Sequence, residues 1–323
     1  MSSTIRLAFS LTVLLALSAC GGGGGGGGGD AGSNQAPVAT PSPAPAFNAT
    51  SSEGMWAGTT SAGRDMVGLL QADGTYWVLY TKAGDASVIA GAVQGNAASN
   101  NGVFTSTNGR DFNVEAQSIS DVTVNANYAP RNRLDGSITY YGTGSRFSFA
   151  STYDVAYDKR ASLPALSGDY TGSAAVVQGT ESARLTIDIA GNISGRSASG
   201  CAYTGQVAPK SQGSAFGLTV TFAGGNCANG TDTVRGVGYL DPDSGVLYGA
   251  ALNNARSNGL IFSGKKSGFT PPVTTGTVTN GTANGGNPSS SPSDSGCGSR
   301  GGPGYRLKNG KCASWADARA GRT

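Results

Sequence analysis

The side chains that could do chemistry in this 323-residue sequence are five cysteines, a small set of carboxylates and two lysine-containing motifs, and histidine is absent. The missing imidazole excludes Ser-His-Asp catalysis, Cys-His catalysis and the commonest zinc sites. Carboxylates such as Asp65, Asp73, Asp111 and Asp188 are scattered near predicted turns. Nothing in their spacing pairs two of them as the acid and base of a glycosidase. We therefore predict no catalytic residue, no metal site and no cofactor.

Three short motifs approach known chemistry without completing it. The segment Gly259–Lys266 comes within one residue of a phosphate-binding P-loop, but Lys266 stands where Ser or Thr should bind magnesium. Ser263 and Lys266 have Ser-x-x-Lys spacing, which needs a helix, whereas this segment is predicted to be a strand. The segment Asp241–Gly245 resembles the opening of a calcium loop, but the later glutamate is missing and a hairpin turn is predicted instead.

Four of the five cysteines form two local pairs, Cys201 with Cys227 and Cys297 with Cys312. Four cysteines allow three connectivities, and the Thr/Gly/Asn/Pro/Ser-rich segment between the pairs favours the local one. We predict two structural disulfides, each contributing about 3 kcal/mol in the chain-entropy model. The alternative, a metal-binding cysteine cluster, has neither histidine nor Cys-x-x-Cys to support it.

Residues 1–20 have the pattern of an export signal. One positive charge at Arg6 precedes the apolar stretch Leu7–Leu17, which is too short to remain in a bilayer as a spanning helix. The segment ends Leu17-Ser18-Ala19-Cys20, which resembles the lipobox of bacterial lipoproteins. The resemblance implies that Cys20 becomes the acylated N-terminus, with palmitate-type chains, and the glycine after it favours the outer membrane. The alternative is an ordinary secretory signal with an incidental cysteine.

Two segments are predicted to be disordered. Residues 21–51 begin with nine glycines and continue in Ala, Pro, Ser and Thr, a composition that cannot bury enough apolar surface to offset its ordering entropy. A coil of this kind spans roughly 30 Å and would hold the folded part clear of the membrane. Residues 269–296 have a similar composition and are predicted to be a linker.

Residues 297–323 are predicted to form a basic hook closed by Cys297 and Cys312. Six Lys and Arg residues face a single Asp, a net charge of +5, whereas the whole sequence carries +3. This charge beside Tyr305 and Trp315 suits an anionic envelope polymer more than nucleic acid. The alternative is a solvated tail. The candidate polyanion-binding residues are Arg300, Arg306, Lys308 and Lys311.

The remaining residues, 52–163 and 164–268, are predicted to be two all-β domains. Turn residues recur every eight to twelve positions, and the segments between them alternate with period two, as in Val122, Val124, Ala126 and Tyr128. The series Leu185, Ile187 and Ile189 alternates in the same way. Such alternation places one face of each strand in a core and predicts antiparallel sheets.

An internal repeat supports two tandem domains. Gly54-Met55-Trp56-Ala57-Gly58 opens the first and Gly168-Asp169-Tyr170-Thr171-Gly172 opens the second. Seven or eight short strands in each favour small antiparallel β-barrels, because closure removes exposed edges, with β-sandwiches as the alternative. The openings and strand rhythm resemble the eight-stranded barrels of lipocalins and of surface lipoproteins of the transferrin-binding protein B class. No ligand-contacting motif is carried over.

These observations predict a non-enzymatic, membrane-anchored lipoprotein that binds or adheres to an envelope or host component, which could be a protein. Two alternatives remain open: a carrier of a small apolar ligand inside one barrel, and an inhibitor of a cell-wall lytic enzyme. The candidates for lining a barrel mouth are aromatic, although alternation predicts that at least half of them are core residues. They are Trp56, Tyr76, Trp77 and Tyr80.

Overall fold

The structure, a computed structural model, describes residues 50–270. Within this range the chain forms seventeen β-strands, one four-residue α-helix and one four-residue 3-10 helix. Several of the predicted features lie outside the described residues. These are the signal segment with Cys20, most of the tether, most of the linker, and the hook with Cys297, Cys312, Arg300, Arg306, Lys308 and Lys311.

The first nine strands form an antiparallel meander that closes into a barrel. They are β1 (Gly54–Thr60), β2 (Asp65–Leu70), β3 (Thr75–Lys82), β4 (Asp85–Asn96), β5 (Ala98–Asn100), β6 (Val103–Asn113), β7 (Ser118–Ala129), β8 (Arg133–Tyr140) and β9 (Arg146–Tyr153). Pairing of β1 with β9 and of β4 with β6 closes a ring of eight strands. The short β5 pairs with β6 beyond the end of β4.

The next eight strands form a second closed barrel, in which each strand pairs with its sequence neighbours and β10 pairs with β17. They are β10 (Gly168–Val176), β11 (Gly179–Ile187), β12 (Asn192–Ser197), β13 (Ala202–Pro209), β14 (Ala215–Phe222), β15 (Thr233–Leu240), β16 (Val246–Leu252) and β17 (Gly259–Lys266). Two tandem antiparallel barrels are thus confirmed, and the β-sandwich alternative is wrong. Closure pairs β4 with β6 in the first barrel and β10 with β17 in the second, and so removes the long exposed edges of an open sheet.

Strand alternation builds both interiors as the sequence predicts. Val122, Val124, Ala126 and Tyr128 on β7 are all buried inside the first barrel. In the second barrel Leu185 and Ile187 are buried, but Ile189 is not, because β11 ends at Ile187 and Ile189 lies in the following turn, 73% exposed. The alternation of apolar residues in the sequence therefore continues for one more apolar residue, Ile189, after the strand has ended.

The repeated openings have the same role in both barrels. Trp56 on β1 and Tyr170 on β10 are fully buried, and each donates a hydrogen bond to the backbone carbonyl four residues earlier, Ser52 and Leu166 respectively. The segment before each first strand is thereby drawn across one end of its barrel. At that end Tyr128 also donates to the carbonyl of Thr50, over 3.0 Å.

The barrels pack against each other through outward-facing side chains. The 3-10 helix (Val155–Asp158) and α1 (Leu163–Leu166) connect them. The shared cluster joins apolar residues from the first sheet to others from β14, β15 and β16 of the second. Its buried members are Met55, Leu69, Trp77, Phe112, Tyr157, Ala215, Val237, Tyr239, Ala250 and Leu252.

Candidate functional site

The two barrels share a topology but differ in how their interiors are filled. The second contains a void of only about 40 Å³ between large apolar side chains such as Phe216, Leu247 and Phe262. The first contains a cavity of about 300 Å³. This volume lies at the lower end of the range for small-molecule pockets. Of the two barrel interiors, the first is therefore the one that has room for a ligand.

The deep part of this cavity is apolar and closed. Trp56, Leu70, Phe104 and Leu134 line it, and each is at most 3% exposed. The residues Thr50–Glu53 lie across this end of the barrel, where the Ser52 and Ser99 hydroxyls are 2.6 Å apart. Water in this region would find few hydrogen-bond partners, so an apolar group gains free energy by occupying it.

The opposite end of the barrel is the mouth of the cavity. It lies where β1 leads into β2 and β8 into β9, and the polar residues that line the cavity there are Thr60, Arg64, Asn113, Thr143 and Ser145. Phe147, which is 39% exposed, also lines the cavity near this end. The cavity thus runs from an apolar floor to a polar rim.

Near the mouth, a buried carboxylate lies inside the barrel but is separated from the cavity by two tyrosine side chains. Asp111 on β6 is 1% exposed and accepts hydrogen bonds of 2.7 Å from the hydroxyls of Tyr80 and Tyr140. Tyr80 lies on β3 and Tyr140 on β8, so one side chain ties three strands together across the interior. Both tyrosine rings line the cavity.

The ionisation of this cluster follows from its burial. Burial raises the pKa of Asp111, while the hydrogen bonds from Tyr80 and Tyr140 and the charge of Arg64 oppose that rise. Burial also raises the pKa of both tyrosines, and the nearby Asp111 charge adds to the effect. Both phenols therefore stay protonated at neutral pH and keep donating to the carboxyl group.

Arg64 occupies the rim beside this cluster. Its Nη2 atom is 2.8 Å from Oε2 of Glu115, its Nη1 donates to the Thr81 carbonyl over 3.0 Å, and its guanidinium lies 5.5 Å from the centre of the Tyr80 ring. The Glu115 side chain is 38% exposed. Arg64 is held in place by these contacts while its charge reaches both solvent and cavity.

Asp111 faces inward because β6 contains a bulge. The register of β6 against β7 shifts between Ser106 and Gly109, so the inward face carries Phe104 and Ser106 before the shift and Asp111 after it. An undisturbed period of two would place Arg110 and Phe112 inside and Asp111 outside. The sequence pattern predicts Asp111 near a turn and gives no sign of this role. An Asn-Gly pair within the strand, Asn108-Gly109, is the signal that indicates the bulge.

Three of the four aromatic candidates line the cavity, with Trp56 at its closed floor and not at the mouth as predicted. Trp56, Tyr76 and Tyr80 face the interior, and the Tyr76 hydroxyl donates to the Ser106 hydroxyl over 3.1 Å. Trp77 faces outward into the cluster between the barrels, as alternation with Tyr76 requires. Arg64 and Tyr140 are not among the residues that the sequence predicts as candidates.

The segments that resemble a P-loop and a calcium loop form a β-strand and a turn, as predicted. Gly259–Lys266 is β17, which pairs on both sides with β10 and β16 and so uses its amides in the sheet. In Asp241–Gly245 the Asp241 carboxylate accepts from the amides of Asp243 and Ser244, which makes a turn.

The carboxylate candidates lie in different structural settings, and Asp111 is the one buried with Tyr80 and Tyr140. Asp73 and Asp188 each accept hydrogen bonds from backbone amides of their own turns, and Asp188 belongs to the second barrel. Across residues 50–270 no group of three or more Cys, Asp or Glu residues is arranged to hold a metal ion. Over the same range no helix is long and apolar enough to span a membrane.

The predicted bond between Cys201 and Cys227 is present, with the two Cα atoms 4.6 Å apart. It joins the loop after β12 to the loop after β14, at the end of the second barrel opposite α1. Both cysteines are buried in the core of that barrel. They are structural residues and lie away from the cavity of the first barrel.

Comparison with known proteins gives matches among solved structures. No protein-family model and no curated protein matches the sequence. The chain is similar to Transferrin Binding Protein B of Haemophilus parasuis Hp5, with 12% identity, 63% of each chain covered and a TM-score of 0.25. It is also similar to the isotype 1 protein of the same name from serogroup B Neisseria meningitidis, with 9% identity, 63% of this chain and 66% of that chain covered, and a TM-score of 0.25.

The matched region spans less than two thirds of the length of each of these two chains. Proteins of the transferrin-binding protein B class, which the sequence resembles, are thus among the solved structures to which the chain is similar. No ligand or partner of those proteins is carried over to this chain.

Proposed function

We propose that this protein is a non-enzymatic lipoprotein of the bacterial outer membrane whose first barrel binds a small ligand with a large apolar part. The observation that carries the proposal is the difference between the interiors. Side chains fill the second barrel, whereas the first keeps a cavity of about 300 Å³ with an apolar floor and a polar mouth. Of the functions that the sequence leaves open, the carrier of an apolar ligand is the one this geometry supports.

Binding can be tested by filling the cavity. Gly68 on β2 lines it, and a Cβ atom added there meets nothing nearer than 3.4 Å, so Gly68→Leu should fold and project into the cavity. A matched control is Gly217→Leu on the second barrel, where the nearest atom is 3.8 Å away. An apolar fluorescent probe should bind the wild type and Gly217→Leu equally and bind Gly68→Leu about tenfold more weakly.

A second measurement uses the natural ligand. Native mass spectrometry of protein purified gently from its own host should show a retained small molecule in the wild type and not in Gly68→Leu. Equal probe binding by Gly68→Leu and the wild type, together with an empty wild-type protein, would contradict ligand binding in this barrel.

The membrane anchor is supported by the lipobox-like segment that ends at Cys20. Acyl chains give firm attachment, because each buried methylene contributes about 0.8 kcal/mol. Radiolabelled palmitate should enter the wild type and be lost in Cys20→Ala. Persistence of the label in that variant would refute acylation at Cys20.

The C-terminal hook remains a second candidate site, for an anionic envelope polymer. It is favoured by the net charge of +5 on residues 297–323. Replacing Arg300, Arg306, Lys308 and Lys311 together by Gln should reduce binding to such a polymer and leave probe binding in the first barrel unchanged. Unchanged polymer binding would make the hook a solvated tail.

A further inference from the structure

Polarity in the cavity of the first barrel is divided along its axis. The floor is formed by buried apolar side chains, among them Trp56, Phe104 and Leu134, while Arg64 and Asn113 lie at the mouth. A ligand with one apolar end and one polar end matches this division when its apolar end enters first. A wholly apolar ligand would make no hydrogen bond to the polar rim, and a wholly polar one would lose its hydration at the floor.

The charged group that the rim presents to the cavity is positive. Of the described residues that line the cavity, Arg64 is the one that carries a charge. The carboxylate of Asp111 stands behind the wall, and its two oxygens accept hydrogen bonds from Tyr80 and Tyr140. The partner of Arg64 is Glu115, which is an exposed residue of the β6–β7 turn and does not line the cavity.

We propose that the ligand of the first barrel is a single-chain amphiphile with an anionic head group, which binds Arg64 in place of Glu115. This inference rests on the proposed function of the barrel. A carboxylate or similar head group at the mouth reaches a guanidinium that Thr81 and Tyr80 already hold in position. Guanidinium binds such oxygens with strong, charge-assisted hydrogen bonds.

The structure also favours one chain and one sign of charge. A volume of about 300 Å³ with a closed floor suits a single slender chain that enters from the mouth. A cationic head group would lie against the like charge of Arg64. A neutral head group would leave the exposed ion pair between Arg64 and Glu115 intact and gain no charged partner.

The head-group charge can be tested with three ligands that share a chain. Dodecanoate, dodecanol and dodecyltrimethylammonium are titrated, below their micelle concentrations, against the wild-type chain with an apolar probe bound. Dodecanoate should displace the probe at about tenfold lower concentration than dodecanol, and the cation should be weakest. If dodecanol matches dodecanoate, the inference fails while the proposed function stands. If none of the three displaces the probe, the proposed function fails as well.

Variants of the ion pair test the assigned residue. Arg64→Gln should lower dodecanoate affinity about tenfold and leave dodecanol affinity unchanged, which also shows that the barrel is folded. Glu115→Gln should raise dodecanoate affinity a few-fold by removing the competing carboxylate. The matched control is Arg133→Gln, which removes an exposed pair with Asp135 from the opposite end of the barrel and should change neither affinity. A dodecanoate affinity that is unchanged in Arg64→Gln overturns the assignment.

Discussion

The hydroxyl of Tyr80 on β3 donates a hydrogen bond of 2.7 Å to Asp111 on β6, reaching past β4 within the first barrel. Tyr140 on β8 makes the matching bond from the other side, past β7. The cluster spans the seam at which β4 and β6 close the ring, a ladder of only four residue pairs. A buried carboxylate with two donors therefore lies beside the shortest ladder of the ring and shapes the wall of the cavity.

The first prediction concerns how stability depends on pH. Burial raises the pKa of Asp111 in the folded protein, so the folded state binds this proton more tightly than the unfolded state. The contribution to stability is then fully present below the unfolded pKa of about 3.9 and is lost as the pH rises to the folded value. Asp111→Asn keeps the shape without the charge. Its stability relative to the wild type should rise by up to about 1.4 kcal/mol per pH unit inside that window.

Urea unfolding of both proteins from acid to neutral pH measures this difference. Tyr140→Phe provides the complementary variant, because it removes a donor that favours the charged carboxylate. In that variant the loss of stability should extend to higher pH than in the wild type. A difference between Asp111→Asn and the wild type that is the same at every pH would contradict the prediction.

The second prediction concerns the glycine that ends each repeated opening. A Cβ atom at Gly58 would lie 2.0 Å from the Ala150 carbonyl oxygen, and one at Gly172 would lie 2.0 Å from that of Ser263. The first and last strands of both barrels thus approach too closely for any side chain. Gly58→Ala and Gly172→Ala should each lower the free energy of unfolding by about 1 to 3 kcal/mol.

Thermal and urea unfolding would measure these losses. Gly68→Ala is the matched control, because its Cβ would make only ordinary contacts, and we expect it to raise stability by about 0.5 kcal/mol through reduced freedom of the unfolded chain. Equal stabilities of Gly58→Ala and Gly68→Ala would show that the strands can separate at no cost.

The sequence carries enough information to predict the architecture. The paired openings around Trp56 and Tyr170 mark the two first strands, and alternation on strands such as β7 assigns the inward face. These features are local, because period two and turn residues depend on neighbours along the chain. The bond between Cys201 and Cys227, which the linker between the two cysteine pairs favours, is present as well.

The site could not be predicted in the same way. Arg64, Asp111 and Tyr140 come from three different elements, and closure of the ring is what brings them to one end. The bulge at Asn108-Gly109 reverses the inward face of β6, so alternation read along the sequence assigns Asp111 to the wrong side. Whether side chains fill the interior of a barrel depends on the total volume of all its inward-facing side chains. The sequence of a single strand does not reveal that total.

The third prediction concerns the disulfide of the second barrel. The bond closes a loop with a sequence separation of 26 residues, which the chain-entropy model values at about 3 kcal/mol. The double variant Cys201→Ala and Cys227→Ala should lose roughly this amount in the unfolding of the second barrel. Probe binding in the first barrel should stay unchanged at temperatures where both barrels are folded. A loss of probe binding without a loss of stability would contradict a purely structural role.

The last prediction concerns Arg256, which links the second barrel to the seam of the first. Arg256 lies in the turn between β16 and β17, its Nη2 donates to the Gln94 carbonyl over 2.6 Å, and its own carbonyl accepts from Arg110 over 2.6 Å. Gln94 and Arg110 are paired residues of the β4–β6 ladder. Arg256 has a φ of +51°, so Arg256→Gly removes the side chain while preserving this backbone conformation. We expect a loss of about 1 to 2 kcal/mol.

Hydrogen exchange locates the effect of Arg256→Gly. The amides of Ala92, Val93 and Gln94 at the seam should exchange several-fold faster than in the wild type, because the seam loses its support from the second barrel. Amides of the β11–β12 ladder, which Arg256 does not touch, serve as the internal reference. Uniform acceleration across both barrels would indicate a general loss of stability, and no acceleration at the seam would show that its four residue pairs hold the ring closed on their own.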